Sequence, residues 1–119
     1  MSPTPIQGRP WPHQFVMSWA LLFLAACFEI VWAVGLKSTD GFTRPWPTAG
    51  VLAALLVSVA LLGLAGRSLP LGTAYAIWTG IGVVGTATFG ILFLGEPVTA
   101  ARLLSIALIL AGAIGLKLA

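Results

Sequence analysis

Four long apolar runs, each near the length of a bilayer crossing, alternate with short clusters of proline, glycine and charge. The first, residues 17–36, is closed by Lys37 and the turn-like cluster Ser38-Thr39-Asp40-Gly41. The second, residues 46–65, is entered through Pro45 and Pro47, which do least harm in a first helical turn. Arg67 and Pro70 mark a short link to residues 71–94, and Gly95-Glu96-Pro97 separates that run from residues 99–118. A hydrocarbon core about 30 Å thick takes roughly 20 residues of helix, so four spans use up most of the chain. With no water to satisfy the backbone inside lipid, each run is predicted to be helical. Residues 1–16 differ: four prolines and several polar side chains predict a flexible N-terminal extension, with Met17 as an alternative start. Arg9 and His13 receive no role, and residues 17–119 form one transmembrane domain.

Composition supports this pattern. Of 119 residues, 59% are hydrophobic and 8% charged, which a soluble domain of this size could not hide from water. The expected class is therefore an all-α integral membrane protein with four short transmembrane helices, multi-pass in the inner or plasma membrane. A signal peptide does not account for the first span, because three more follow it. Cys27 is the single cysteine, so no intrachain disulfide forms, and with the single His13 it makes no metal cluster. No metal and no cofactor are expected. The net charge of +3 comes from scattered residues, unlike a nucleic-acid surface.

Positive charge is balanced across the membrane. Arg9, Arg67 and Lys117 fall on the side of the termini, against Lys37, Arg44 and Arg102 on the other. A weak orienting signal permits insertion in both directions, and hence an antiparallel homodimer. Ala111, Gly112 and Gly115 give the fourth helix small residues suited to close packing in lipid.

Glu29, near the middle of the first span, is the main candidate for chemistry. An ionised carboxylate at that depth costs several kcal/mol unless it meets a cavity, a cation or a proton. A cation and a proton that compete for one carboxylate supply a physical basis for exchange; the plainer alternative is a carboxyl hydrogen-bonded between helices. Trp32 lies one turn later, and Tyr75 and Trp78 repeat the spacing on the third helix. Their π faces and polar donors suit an aromatic cage for a cation, whereas Trp11, Trp19 and Trp46 suit interfacial anchoring. Ser58, the polar side chain within the second span, either bonds its own backbone or reaches the cavity. Gly80, Gly82 and Gly85 formally match a dinucleotide-binding pattern, but no strand precedes them. With Gly90, they fit close helix approach or a hinge for alternating access. Cys27 faces away from Glu29, no nucleophile and base pair supports an enzyme, and Glu96 reads as a solvated loop residue.

The segments Phe28-Glu29-Ile30-Val31-Trp32-Ala33, Gly41-Phe42-Thr43-Arg44 and, above all, the run from Pro70 to Gly82 resemble the small multidrug resistance transporters. The likeness extends from Met17 to Leu118. A tryptophan one turn after the glutamate and the run Trp78-Thr79-Gly80-Ile81-Gly82 resemble the guanidinium exporter branch. The resemblance implies an antiparallel homodimer that exchanges protons for guanidinium or small guanidinyl cations by alternating access. Glu29 would bind proton and cation in turn, with Trp32, Ser58, Tyr75 and Trp78 around the substrate and Ser58 fixing Trp32. A planar guanidinium suits this set, because its paired N–H donors match a carboxylate and it is weakly hydrated. Where the branch often has glycine, Ala26 stands one turn before Glu29, and its methyl is expected to narrow the site. Two alternatives are an exporter of quaternary ammonium or other hydrophobic cations, and a non-transporting membrane assembly subunit.

Overall fold

A computed structural model describes residues 12–119, with side chains described from Val16 onward. Helix α1 spans Pro12–Gly35 and is followed by a short 3-10 helix, Leu36–Thr39. Helices α2 (Pro45–Ala65), α3 (Leu71–Phe93) and α4 (Ala100–Leu118) complete the described chain. All four α-helices are long and apolar enough to cross a membrane; the 21 residues of α2, for example, reach about 31 Å. The expected flexible extension lies outside the described residues over positions 1–11, but residues 12–16 already belong to α1. Pro12 opens that helix, where its missing N–H would have had no partner.

Local chemistry places the boundaries. Pro45 and Pro47 sit in the first turn of α2, and the Thr99 hydroxyl caps α4 by accepting from the Arg102 N–H at 3.1 Å. Helix α3 ends at Phe93, and Gly95 with its φ of 71° reverses the chain so that the Leu94 and Glu96 N–H groups both donate to the Gly90 carbonyl. Between α1 and α2, Asp40, Gly41 and Phe42 form a left-handed run at φ 49°, 69° and 67°. Such a conformation costs on the order of 1 kcal/mol at each non-glycine position. Buried Thr39 offsets it: its hydroxyl donates to Leu36 O and accepts from Phe42 N, while its carbonyl accepts from Thr43 N and Arg44 N.

The core is built from small residues that let helices approach, as lipid-embedded packing requires. Leu22, Ala25 and Ala26 of α1 meet Leu62 and Ala65 of α2 and Ala74, Ile77 and Trp78 of α3. Helix α1 runs antiparallel to α2 and parallel to α3, and packs on both. Among the described residues, the backbone of α4 packs on α3, and its end reaches α1 through the Lys117 side chain. Its one buried residue, Ala113, lies with Ile109 over Gly80, where an added Cβ would meet them at 3.4 and 3.6 Å. Trp46 is 85% exposed at the start of α2, as an interfacial residue would be. Trp19 instead packs on the core, 6.3 Å from the Phe23 ring and under the Lys117 ammonium at 5.1 Å. Trp11, the third expected anchor, lies outside the described residues.

Candidate functional site

Parallel packing of α1 and α3 sets the site, because it brings side chains of one helix onto glycines of the other. Glu29 lies against Gly82, so closely that a Cβ on Gly82 would collide with the carboxyl group, and would sit 2.9 Å from the Glu29 Cγ. One layer further, Ile30 fills the equivalent space over Gly85. Gly80 serves the opposite neighbour, α4. Helix α3 is continuous through all three glycines.

Beside Glu29 opens a cleft of about 570 Å³ between the C-terminal halves of α1 and α3. Ala33 and Val34 border it on α1, Gly82, Val83, Thr86 and Ala87 on α3, and Lys37 and Glu96 beyond the helix ends. The Glu29 Oε1 is buried and has no hydrogen-bond partner among the described residues. The Thr86 hydroxyl is in the same condition. Thr88, by contrast, bonds back to Val84 O at 2.7 Å; Thr48 and Thr79 share the condition of Thr86, but of the three Thr86 alone borders the cleft. A buried acceptor and a buried hydroxyl without partners each carry a desolvation cost of about 1–3 kcal/mol, which a cation bearing N–H donors would relieve.

The second group of expected residues forms a layer one helical turn away. The Trp78 indole N–H donates to Ser58 Oγ at 2.9 Å, and the Ser58 hydroxyl donates to the Ala25 carbonyl at 2.7 Å. Ser58 is fully buried, and this chain ties α3 through α2 to α1. Ser58 therefore fixes Trp78, not Trp32 as expected, because α2 presents it between Ala25 and Trp78. The Tyr75 ring lies 5.5 Å from the Trp78 ring and is 55% exposed. Ala25 and Trp78 each precede Glu29 and Gly82 by four residues, so the two layers are stacked about 5–6 Å apart.

Trp32 is half-buried, and its indole N–H is buried without a partner among the described residues. None of Trp32, Ser58, Tyr75 and Trp78 borders the cleft beside Glu29. The structure thus joins Ser58, Tyr75 and Trp78 in one layer, sets Glu29 over Gly82 in the next, and places Thr86 a further turn along α3 on the wall of the same cleft. Ala26 is fully buried in the core with Trp78, so its methyl is a packing contact. Cys27 is exposed.

Glu96 departs from its sequence reading. Rather than a solvated loop residue, it is half-buried, folded over Gly90 and paired with Arg102 at 3.1 Å. The local Gly-Glu-Pro sequence carries no signal for this; Gly90, six residues earlier, makes the room.

The family model described as "Small Multidrug Resistance protein" matches residues 17–109. The chain is 60% identical over 102 residues to a protein of Citrobacter freundii named "Guanidinium exporter", covering 86% of this chain and 97% of that one. A Salmonella typhimurium protein of the same name matches with the same identity and coverage. A third, from Proteus vulgaris, is 59% identical over 103 residues, covering 87% of this chain and 99% of its own length.

Proposed function

Because the chain belongs to the small multidrug resistance family, we propose that it is a proton-coupled antiporter that exports guanidinium and small guanidinyl cations. It is a multi-pass protein of the cell membrane. The observation that carries the reading is Glu29 itself: its residue borders a cleft, while its Oε1 is buried against bare backbone at Gly82 without a hydrogen-bond partner among the described residues.

In lipid the anionic carboxylate is the costly form, so Glu29 holds either a proton or a cation. Arrival of a cation from one side releases the proton, and return of a proton expels the cation. Exchange follows without a separate proton path, provided that the site opens to one side at a time. Guanidinium suits the surroundings better than a quaternary ammonium, because its N–H donors can engage the carboxylate and the Thr86 hydroxyl together. The names of the similar proteins support the same substrate.

The functional unit in this reading is an antiparallel homodimer with both copies of Glu29 in one chamber. Trp32, Tyr75 and Trp78 then close on the cation from the neighbouring layer, with Ser58 holding the Trp78 ring. Gly80, Gly82 and Gly85 keep the contacts of α3 thin enough for it to bend during alternation. The charge balance across the membrane supports two-way insertion, and the bare faces of α4 leave room for a second copy.

Guanidinium-driven proton movement in proteoliposomes tests the proposal, with Glu29→Gln as the paired variant. Flux in the wild type that vanishes in the variant is expected. Folded wild-type protein that moves tetraalkylammonium but not guanidinium would transfer the mechanism to another substrate, and no flux with either would end the transporter reading.

A further inference from the structure

Glu96 has no part in the exchange at Glu29, yet it borders the same cleft. Its setting repeats that of Glu29. Each carboxyl lies across a glycine of α3, Glu29 on Gly82 and Glu96 on Gly90, in space that any side chain would fill. Those glycines are eight residues apart, about 12 Å along the helix, so one small cation cannot touch both carboxylates at once. Glu29 occupies the depth of the cleft and Glu96 its mouth, beyond the C-terminal end of α3.

Glu96 already binds a guanidinium, that of Arg102. The contact is a single one, Arg102 Nη2 donating to Oε1 at 3.1 Å. The Arg102 Nε is buried without a partner, and Oε2 of Glu96 accepts no hydrogen bond among the described residues. A guanidinium engages a carboxylate best through two parallel N–H donors. Arg102 reaches with one, from a backbone held by the Thr99 cap on α4. A free guanidinium has no such tether. Both partners are also more than a third exposed, so the ion pair is weak enough to exchange.

Resting on the reading of guanidinium as substrate, we propose that the Glu96 carboxylate, laid over Gly90 at the cleft mouth, is a second binding site for planar guanidinium cations, which displace Arg102 from it. The displaced Arg102 turns to solvent and headgroups, and the cation is handed on toward Glu29. A quaternary ammonium has no N–H donor with which to replace the Arg102 hydrogen bond, so the mouth favours guanidinium. In an antiparallel pair each opening carries one such mouth, which makes loading and release alike on the two sides.

Steady-state transport in proteoliposomes tests this through two substitutions with opposed effects. Glu96→Gln removes the site and is expected to raise KM for guanidinium about fivefold, with the saturated rate held within about twofold. Arg102→Gln removes the competitor and is expected to lower KM by a similar factor. A purely structural ion pair predicts that both variants shift KM in the same direction, and that outcome, or an unchanged KM in Glu96→Gln, would overturn the proposal. If Arg102→Gln fails to fold, Arg102→Lys, which keeps the charge but lacks the planar donors, is expected to lower KM about twofold; a raised KM would count against the idea. Wild-type flux abolished by Glu29→Gln alongside a Glu96→Gln KM equal to wild type would remove this site and leave the exporter reading standing, whereas absence of any wild-type guanidinium flux would remove both.

Discussion

Replacing Gly82 with alanine separates the fold from the function. The added Cβ would sit 2.9 Å from the Glu29 Cγ and nearer still to its carboxyl group. Non-bonded carbons rest about 3.5–4.0 Å apart, so the carboxylate must withdraw by roughly 1 Å or more. What stands in the way is the end of a flexible side chain, not backbone, so Glu29 can turn about its own χ angles without disturbing α1 or α3. The helix itself gains up to about 1 kcal/mol from exchanging glycine for alanine. Thermal unfolding in detergent is therefore expected to be unchanged or slightly raised. Transport responds differently, because a misplacement of about 1 Å at a reacting group costs on the order of a hundredfold. Guanidinium-driven proton flux in proteoliposomes is expected to fall by about that factor, with Gly63→Ala, whose Cβ meets nothing within 4 Å, as the matched control. Folded Gly82→Ala protein with flux within about threefold of wild type would refute the reasoning.

Ser58→Ala breaks the link between Trp78 and Ala25 and leaves the indole N–H buried without an acceptor. A loss of about 1–3 kcal/mol is expected, read as a lower midpoint of thermal unfolding in detergent; combined with Trp78→Phe, the two losses are expected to sum to less than their separate values, because the same hydrogen bond is removed once. Thr86→Val keeps the shape of the cleft wall and removes the partnerless hydroxyl. It is expected to raise KM for guanidinium about tenfold, the scale of one hydrogen bond to a charged group, while leaving transport of a tetraalkylammonium, if any is measured, unaltered. Gly80→Ala places its methyl at 3.4 Å from Ala113 and 3.6 Å from Ile109, close to ordinary contact. Unfolding of that variant is expected within about 1 kcal/mol of wild type, and a larger drop would mean that α4 sits tighter on α3 than described.

The helices were legible because lipid imposes one simple demand on every residue in a span. Runs such as 46–65 and 71–94 are dominated by apolar residues, and Gly95-Glu96-Pro97 separates 71–94 from 99–118 where a helix must stop. Glu29 was legible for the same reason, as a carboxylate where none is cheap. The start of α1 at Pro12 was not, because proline reads as a breaker in sequence yet fits the first turn of a helix. Contacts between helices were out of reach as well. Gly82 looked like one of several small residues, and only the parallel register of α1 and α3 lays Glu29 upon it. Ser58 had two possible partners within its own helix or beyond, and the rotation of α2 decides for Ala25 and Trp78. Thr86 carried no sequence signal at all, since what sets it apart from Thr48 and Thr79, whose hydroxyls are also buried without a partner among the described residues, is its place on the cleft wall.

The meeting of Glu29 with Gly82 also bears on how such a site can diversify. One wall beside the carboxylate is main chain, which no substitution can recolour without first pushing the carboxylate away. Mutation can therefore explore new cargo only through the remaining walls, Thr86, Val83 and Ala33 among them. A lineage drifting toward larger or more apolar cations would show its changes at those positions while residue 82 stays glycine, giving a fixed point around which selectivity varies.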